Sequence, residues 1–357
     1  MLKEIDLYIT EKCNLECQFC SIQASNSSTK ELDFETIKKF VLYCKQNGVT
    51  DIHVTGGEPT LHKDYKRIIA FIIKNQIDVR LITNGLLLSE SDLIELKQIG
   101  LEKIMISIDG MQKFHNSVRA RGAYEKAFNV IDKAVSLNYN VRVNSVAWNE
   151  NIEDIPLLME RLDKSKVNVY SVFLGSPVGR AKRMNGLTVV DAEMWMRFLE
   201  VLRSYHAAQG MRIKVVVEQG YIKAGIDNEH YMIRSCTSIL SNTDYLSVRA
   251  DGNVFPCVFF SNDVQSIGNI HNMQDLNFKR SMSNSDFYNS VAALPIECNT
   301  CENVAYCKGG CRGFNFVEQE ISKDLRCCQD GYIPICPLIK IDLFNRRMAP
   351  CTDDLLE

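Results

Sequence analysis

The chain of 357 residues has no run of about 18 apolar residues and no apolar stretch of signal-peptide length at its start, Met-Leu-Lys-Glu-Ile-Asp-Leu-Tyr. A membrane partner is therefore excluded, and a cytoplasmic location is expected. An excess of positive charge is also missing. Lys and Arg number 41 against 44 Asp and Glu, giving a net charge of −3, and no basic run is long enough to form a binding arm. That leaves no electrostatic basis for nucleic acid, so a compact substrate or a peptide fits better. With 46% hydrophobic residues a full core is expected, which excludes a disordered chain. Without an export signal, the fourteen cysteines do not read as a disulfide framework, because reducing cytosol keeps thiols unpaired and clustered thiols there usually hold metal. Cysteine is absent between Cys44 and Cys236: three stand before residue 21 and ten from Cys236 onward.

The first group, Cys13, Cys17 and Cys20, lies in Lys-Cys-Asn-Leu-Glu-Cys-Gln-Phe-Cys. A Cys-x3-Cys-x2-Cys spacing can put three thiolates of one short loop around a four-iron cluster and leave one iron open to a small molecule. A fully ligated cluster can only pass electrons. A zinc knuckle is the alternative, since zinc takes the same ligands.

From residue 5 to about 175, strand patterns alternate with amphipathic helical patterns. The strands are expected at Ile5–Thr10, Asp51–Thr55, Asp78–Thr83, Lys103–Asp109, Asn140–Ala147 and Asn168–Leu174. Phe34, Ile37, Val41 and Cys44 share one helical face, which makes Cys44 a buried apolar residue rather than a ligand. Six strand–helix units imply parallel strands and a partial barrel rather than a closed eight. A Gly-Arg-rich stretch, Ser176 to Leu187, is followed by a helix near Ala192–Ala208 and a strand near Ile213–Val217.

Side chains that do chemistry in parallel barrels gather at the C-terminal ends of the strands. Three motifs fall there: Thr55-Gly56-Gly57-Glu58-Pro59, Thr83-Asn84-Gly85 and Ser107-Ile108-Asp109-Gly110. In the first, two glycines permit close backbone approach and Glu58 offers a carboxylate. Period two puts Ser107 and Asp109 on one side. Arg119 and Arg121-Gly122 follow, with Asn144 and Leu174 on strands five and six. Together with Tyr8-Ile9-Thr10 running into Cys13, and Phe19 before Cys20, this arrangement resembles the radical S-adenosylmethionine (SAM) enzymes. The resemblance implies a [4Fe-4S] cluster on Cys13, Cys17 and Cys20 whose open iron chelates SAM, which is cleaved to a 5′-deoxyadenosyl radical. It also implies SAM contacts from Gly56, Gly57, Glu58, Pro59, Asn84, Ser107, Asp109, Arg121 and Leu174, with Glu58 near the amino group and Arg121 near the carboxylate.

Downstream, Cys298, Cys301, Cys307 and Cys311 form Cys-x2-Cys-x5-Cys-x3-Cys, preceded by Cys236 and by Gly252-x4-Cys257 and followed by Cys327, Cys328 and Cys336. At this cysteine frequency the four-cysteine spacing has a chance expectation of ~0.001 per chain, so coincidence is set aside. A zinc module remains open. The order resembles the SPASM domain, which carries two auxiliary [4Fe-4S] clusters. That resemblance assigns Cys236, Cys257 and Cys311 to the first, which lacks a fourth cysteine and can have an open iron. Cys298, Cys301 and Cys307 go to the second with a later cysteine, for which spacing favours Cys327 over Cys328 and Cys336.

The expected fold class is α/β, a partial (β/α)6 TIM-like barrel with a C-terminal cysteine-rich iron–sulfur domain. Its expected divisions are a barrel over 1–210, a linking segment over 211–235, the auxiliary-cluster domain over 236–345 and a tail over 346–357. The function that follows is radical oxidation of a peptide substrate, as by a maturase forming thioether or carbon–carbon cross-links. The same chemistry on a small metabolite, as in dehydrogenation, decarboxylation or tetrapyrrole modification, stands as an alternative, and a non-catalytic iron–sulfur or zinc protein as a third. A reductant such as flavodoxin or ferredoxin is implied. The first strand starts at residue 5 and leaves no room before it for a peptide-recognition domain, so a separate recognition protein is expected for a peptide substrate.

Overall fold

A computed structural model describes residues 2–183, 186–218, 220–223, 245–260, 265–275, 285–307 and 309–311, with short stretches at 316–317, 320–321, 327, 332–334, 340–342 and 348–349. Seven strands alternate with helices: β1 (Glu4–Thr10), α1 (Phe34–Gln46), β2 (Asp51–Gly56), α2 (Tyr65–Lys74), β3 (Asp78–Thr83), α3 (Glu90–Ile99), β4 (Lys103–Ser107), α4 (Gln112–Val118), α5 (Ala123–Ser136), β5 (Asn140–Ala147), α6 (Asp154–Lys164), β6 (Val169–Leu174), α7 (Ala192–Gln209) and β7 (Lys214–Glu218). All neighbouring pairs from β1 to β7 are parallel.

Local chemistry sets the helix ends. Asp33 accepts the Thr36 N–H at the start of α1 and Asp191 that of Met194 at the start of α7. Ser89 and Asp92 form a reciprocal capping box on α3, which closes at Gly100 in the left-handed region, where φ is +103°.

Alternation along the strands separates two environments. Ile5, Leu7, Ile52, Val54, Leu81, Ile104, Ile106, Val141 and Val143 are fully buried in one continuous core. The intervening residues Asp6, Tyr8, His53, Arg80, Met105 and Asn144 line an interior cavity. The strands thus carry aliphatic faces into the core and largely polar ones into the barrel.

The sheet does not stop at residue 210. β9 (Tyr245–Val248), preceded in the chain by β8 (Tyr221–Lys223), runs parallel to β1, and β10 (Val254–Phe255) pairs with β9. On the far edge Lys340–Asp342 pairs antiparallel with β7, and Met348–Ala349 adds to it. Among the described residues the result is an open, mostly parallel sheet of eleven strands whose two edges both come from beyond residue 244. Among the described residues no helix is long and apolar enough to cross a membrane.

Candidate active site

At the end of β1 the register against β2 slips between Tyr8 and Thr10, and the chain leaves the sheet as a loop carrying the three cysteines. The two glycines at the end of β2 explain how the loop starts. A Cβ on Gly56 would lie 2.2 Å from the Thr10 carbonyl oxygen, and one on Gly57 2.4 Å from that of Lys12. In their place the backbone N–H groups of Gly57 and Glu58 donate to those oxygens at 2.7 and 2.8 Å. The expected close approach is therefore to the cysteine loop itself, and both glycines also border the cavity.

Glu58, expected near the amino group of SAM, is held by the strand ends. It is fully buried and does not border the cavity. One carboxylate oxygen accepts from Thr60 Oγ1 at 2.7 Å and Thr83 Oγ1 at 2.8 Å, and the other from the Asn84 N–H at 2.8 Å. Burial pushes its carboxyl up while these donors pull it down. Glu58 locks the ends of β2 and β3 together, and Pro59 is buried at the start of a 3-10 turn. Asn84, held in this way, lines the cavity and donates to Asn14 Oδ1 of the cysteine loop at 2.8 Å.

Ser107 also lines the cavity, but Asp109 does not, because β4 ends at Ser107 and the alternation ends with it. Buried Asp109 accepts from Arg119 Nε at 2.5 Å and from the Val146 N–H at 3.1 Å. Arg119 enters the cavity with Nη1 3.9 Å from Cys17 Sγ. Arg121, the expected guanidinium, is exposed and outside the lining. The reason is the chain path: Gly122, at φ +77°, starts α5 and leaves Arg121 on the surface turn.

His115 belongs to the same cluster, taking the Asp109 N–H on Nδ1 at 3.1 Å. Burial, and then the Arg119 charge, push its imidazole down to about 4. The unfolded chain, with a value of ~6.5, binds this proton first. Folded stability should therefore fall as pH drops from ~6.5 to about 4, by on the order of 3 kcal/mol. Urea midpoints of the metal-free protein at pH 7 and 5 check this, and His115→Gln should flatten the difference.

The thiols sit in a shielded pocket. Cys13 Sγ accepts the Leu15 N–H and Cys20 Sγ that of Ala24, both at 3.4 Å. Burial pushes the Cys13 thiol up to about 12, against the Leu15 bond; burial raises Cys17, against Arg119. Metal binding to such thiols must displace protons.

All three cysteines border one cavity of about 420 Å³ that also takes in Leu174, Asn144 and Trp148. The size is that of a small-molecule site. Two buried polar atoms in its wall, Asn144 Oδ1 and Trp148 Nε1, lack a hydrogen-bond partner among the described residues. Three thiols on one side and unsatisfied polar groups on another fit a chelated, polar cofactor. The lower wall is charged. Asp6 accepts from Tyr245 at 2.6 Å and pairs with His53 Nδ1 at 2.9 Å, while Arg80 lies 3.2 Å from His53 Nε2. Glu4, Asp6 and His53 lie within reach of one cation. Arg80, which can only donate, occupies the imidazole nitrogen, so the group reads as an internal ionic network.

Sequence reasoning missed Trp148, this polar wall and Arg180. Gly179-Arg180 in the Gly-Arg-rich stretch after β6 was the available signal.

Residues 7–162 match the model of the radical SAM superfamily. This chain carries a radical SAM domain. It is accordingly an enzyme, and its thiol loop, strand-end motifs and cavity all lie within or against that domain. Among curated relatives, the sporulation killing factor maturation protein SkfB of Bacillus subtilis is 28% identical over 254 residues, covering 70% of this chain and 59% of SkfB. This chain thus matches less than two thirds of that relative's length. GTP 3′,8-cyclase of Campylobacter lari is 27% identical over 304 residues, covering 80% of this chain and 85% of the cyclase. Among solved structures, Streptococcus suis SuiB bound to S-adenosylmethionine superposes with a TM-score of 0.73 at 18% identity, covering 92% of this chain and 78% of SuiB. Native anSMEcpe with bound AdoMet gives 0.66 at 18% identity, covering 92% and 94%. These structural likenesses show that the chain shares the fold of those proteins.

In the C-terminal region, Cys298, Cys301 and Cys307 lie on consecutive tight turns. The Cys301 N–H donates to Cys298 O at 3.2 Å, and the Gly310 N–H to Cys307 O at 2.9 Å. Gly309 and Gly310, at φ +83° and +70°, carry the chain into Cys311. Cys298, Cys307 and Cys311 are buried; Cys257, Cys301 and Cys327 are half-buried. Cys44 is buried in the core, as expected. Cys236, Cys328, Cys336 and Cys351 lie outside the described residues.

Proposed function

We propose that the chain is a peptide maturase, using a [4Fe-4S] cluster on Cys13, Cys17 and Cys20, SAM in the adjoining cavity and auxiliary clusters on the C-terminal cysteines. The observation that carries this reading is that Val258 and Phe259, next to Cys257, close the same cavity that Cys13, Cys17 and Cys20 open. The C-terminal cysteine segment thus abuts the site where a substrate would react. Bound together, cluster and SAM would supply radical chemistry able to remove a substrate hydrogen atom.

The chain's own residues supply positioning and shielding. Arg119, fixed by Asp109, puts a positive charge beside Cys17 and at the cavity edge, suited to a carboxylate. Asn144 Oδ1 offers an acceptor, and Leu174, Phe173 and Trp148 keep water from the cavity wall. Cys257, Cys311 and Cys236 would hold a first auxiliary centre, and Cys298, Cys301, Cys307 and Cys327 a second, beside the reacting substrate. Residues from 236 onward would form that module, with β9, β10 and Lys340–Asp342 joining it to the sheet of the barrel.

A peptide substrate is supported by SkfB, a maturation protein, and by SuiB, whose fold has been solved with precursor peptide SuiA. The cyclase relatives favour a second reading, a nucleotide substrate. Against it, Arg119 is the cavity arginine placed for an anionic ligand, while Arg80 is engaged by His53, Arg142 by Ser171 and Arg180 by backbone carbonyls. A triphosphate calls for several guanidinium or ammonium groups turned toward it.

The test is anaerobic reconstitution with SAM and reductant, followed by parallel incubation with short precursor-type peptides and with GTP. A peptide losing two hydrogens while GTP is unchanged is expected. GTP consumption with unaltered peptides contradicts the reading.

A further inference from the structure

Nothing regular runs through the cysteine loop between Asn14 and Ala24. Its internal backbone bonds are the Cys20 N–H to Cys17 O at 3.2 Å and the Gln23 N–H to Cys20 O at 3.3 Å. Thiol geometry in such a loop must be imposed from outside. Asn84 holds Asn14 at one end, and the Val118 carbonyl takes the Gln18 N–H at 3.0 Å. The third cysteine is held by the strap that follows β6.

Arg180 spans both sides of Cys20. Its Nε donates to Cys17 O at 2.8 Å, and Nη1 and Nη2 both donate to Ala24 O at 2.9 Å. Its backbone N–H donates to Cys20 O at 3.0 Å. Gly179, at φ +57°, lets the strap lie flat, since a Cβ there would stand 2.4 Å from the carbonyl oxygens of Cys20 and Ser21. Lysine has the charge but not the rigid fork needed to reach two carbonyls at once. The guanidinium also adds a second permanent positive charge, with Arg119, acting on Cys17.

We propose that Arg180 is a positioning residue for the iron–sulfur centre of Cys13, Cys17 and Cys20: its fork fixes the Cys17–Ala24 span, and its charge stabilises the reduced, more anionic cluster. This rests on the radical SAM reading of that loop. The strap also contributes Ser176 and Val178 to the cavity wall, so one segment ties thiol geometry to the space beside it.

The test follows the SAM-responsive EPR signal of the reconstituted enzyme, which separates this cluster from any other iron. Two quantities are read: decay of the signal under a chelator, and its midpoint potential. Arg180→Lys should lose the signal about tenfold faster or more, with the wild-type potential kept. Arg180→Gln should lose it as fast, with a more negative potential. Gly179→Ala, which leaves Arg180 in place but lifts the strap, should also speed the decay and decides the matter if Arg180→Gln does not fold. Wild-type decay in Arg180→Lys or Gly179→Ala overturns the fork, and an unchanged potential in Arg180→Gln overturns the charge effect. A wild-type protein without any SAM-responsive signal overturns the underlying reading, and this proposal with it.

Discussion

Replacing Cys13, Cys17 and Cys20 together by alanine is expected to abolish 5′-deoxyadenosine formation and to remove about four irons per chain. The fold should survive. The thiols make weak contacts, N–H···S bonds from Leu15, Ala24 and Arg119 and a long one from Cys13 to Asn14 Oδ1, whereas the loop is held by bonds to Thr10, Lys12, Asn14 and Gln18 that alanine leaves alone. Far-UV circular dichroism should therefore match the wild type while iron and SAM cleavage drop. Loss of a single zinc per chain, with four irons never present, would point to a knuckle instead. If all wild-type iron stays bound in the triple variant, the loop is not the cluster site.

The second large effect is expected at Asp109. Its side chain is 1% exposed and faces Arg119, whose side chain is 11% exposed. Asp109→Asn would leave that guanidinium buried with its counter-charge removed and would weaken the bond to the Val146 N–H, which joins the ends of β4 and β5. A broken buried pair of this kind costs about 3–5 kcal/mol. The urea midpoint should drop by the corresponding amount, and SAM affinity should fall with it, since Arg119 would no longer be held between Asp109 and Cys17. An unchanged midpoint would mean that Arg119 finds another anion or moves to solvent.

The strands and helices were legible because one face of each strand is largely apolar. Ile5, Leu7, Ile52 and Val54 alternate with polar residues, and with Ile104 and Ile106 on either side of Met105 they match the outer core. The opposite face was harder to read. Asp6, His53, Arg80 and Arg142 look like the solvent side of half-buried strands, yet in an open barrel that side turns inward to the cavity. Sequence period carries no information on which polar face is interior.

At the site, the spacing of Cys13, Cys17 and Cys20 and the strand-end location of Gly56, Gly57, Asn84 and Ser107 were readable from local pattern. The orientations of Glu58 and Asp109 were not. Each carboxylate is captured by donors 25 or more residues away, Thr83 and Asn84 for Glu58 and the Val146 N–H for Asp109. The choice between Arg119 and Arg121 was hidden for a related reason, since it depends on where α5 begins. The added strands β9 and Lys340–Asp342 were missed because strands of three or four residues carry too little alternation to be seen.

The most direct measurement is mass spectrometry of the anaerobically reconstituted, reduced protein after incubation with SAM. Formation of 5′-deoxyadenosine and methionine in equal amounts, dependent on reductant, is the expected result. A protein loaded with iron that leaves SAM intact under reduction would contradict the radical reading of Cys13, Cys17 and Cys20.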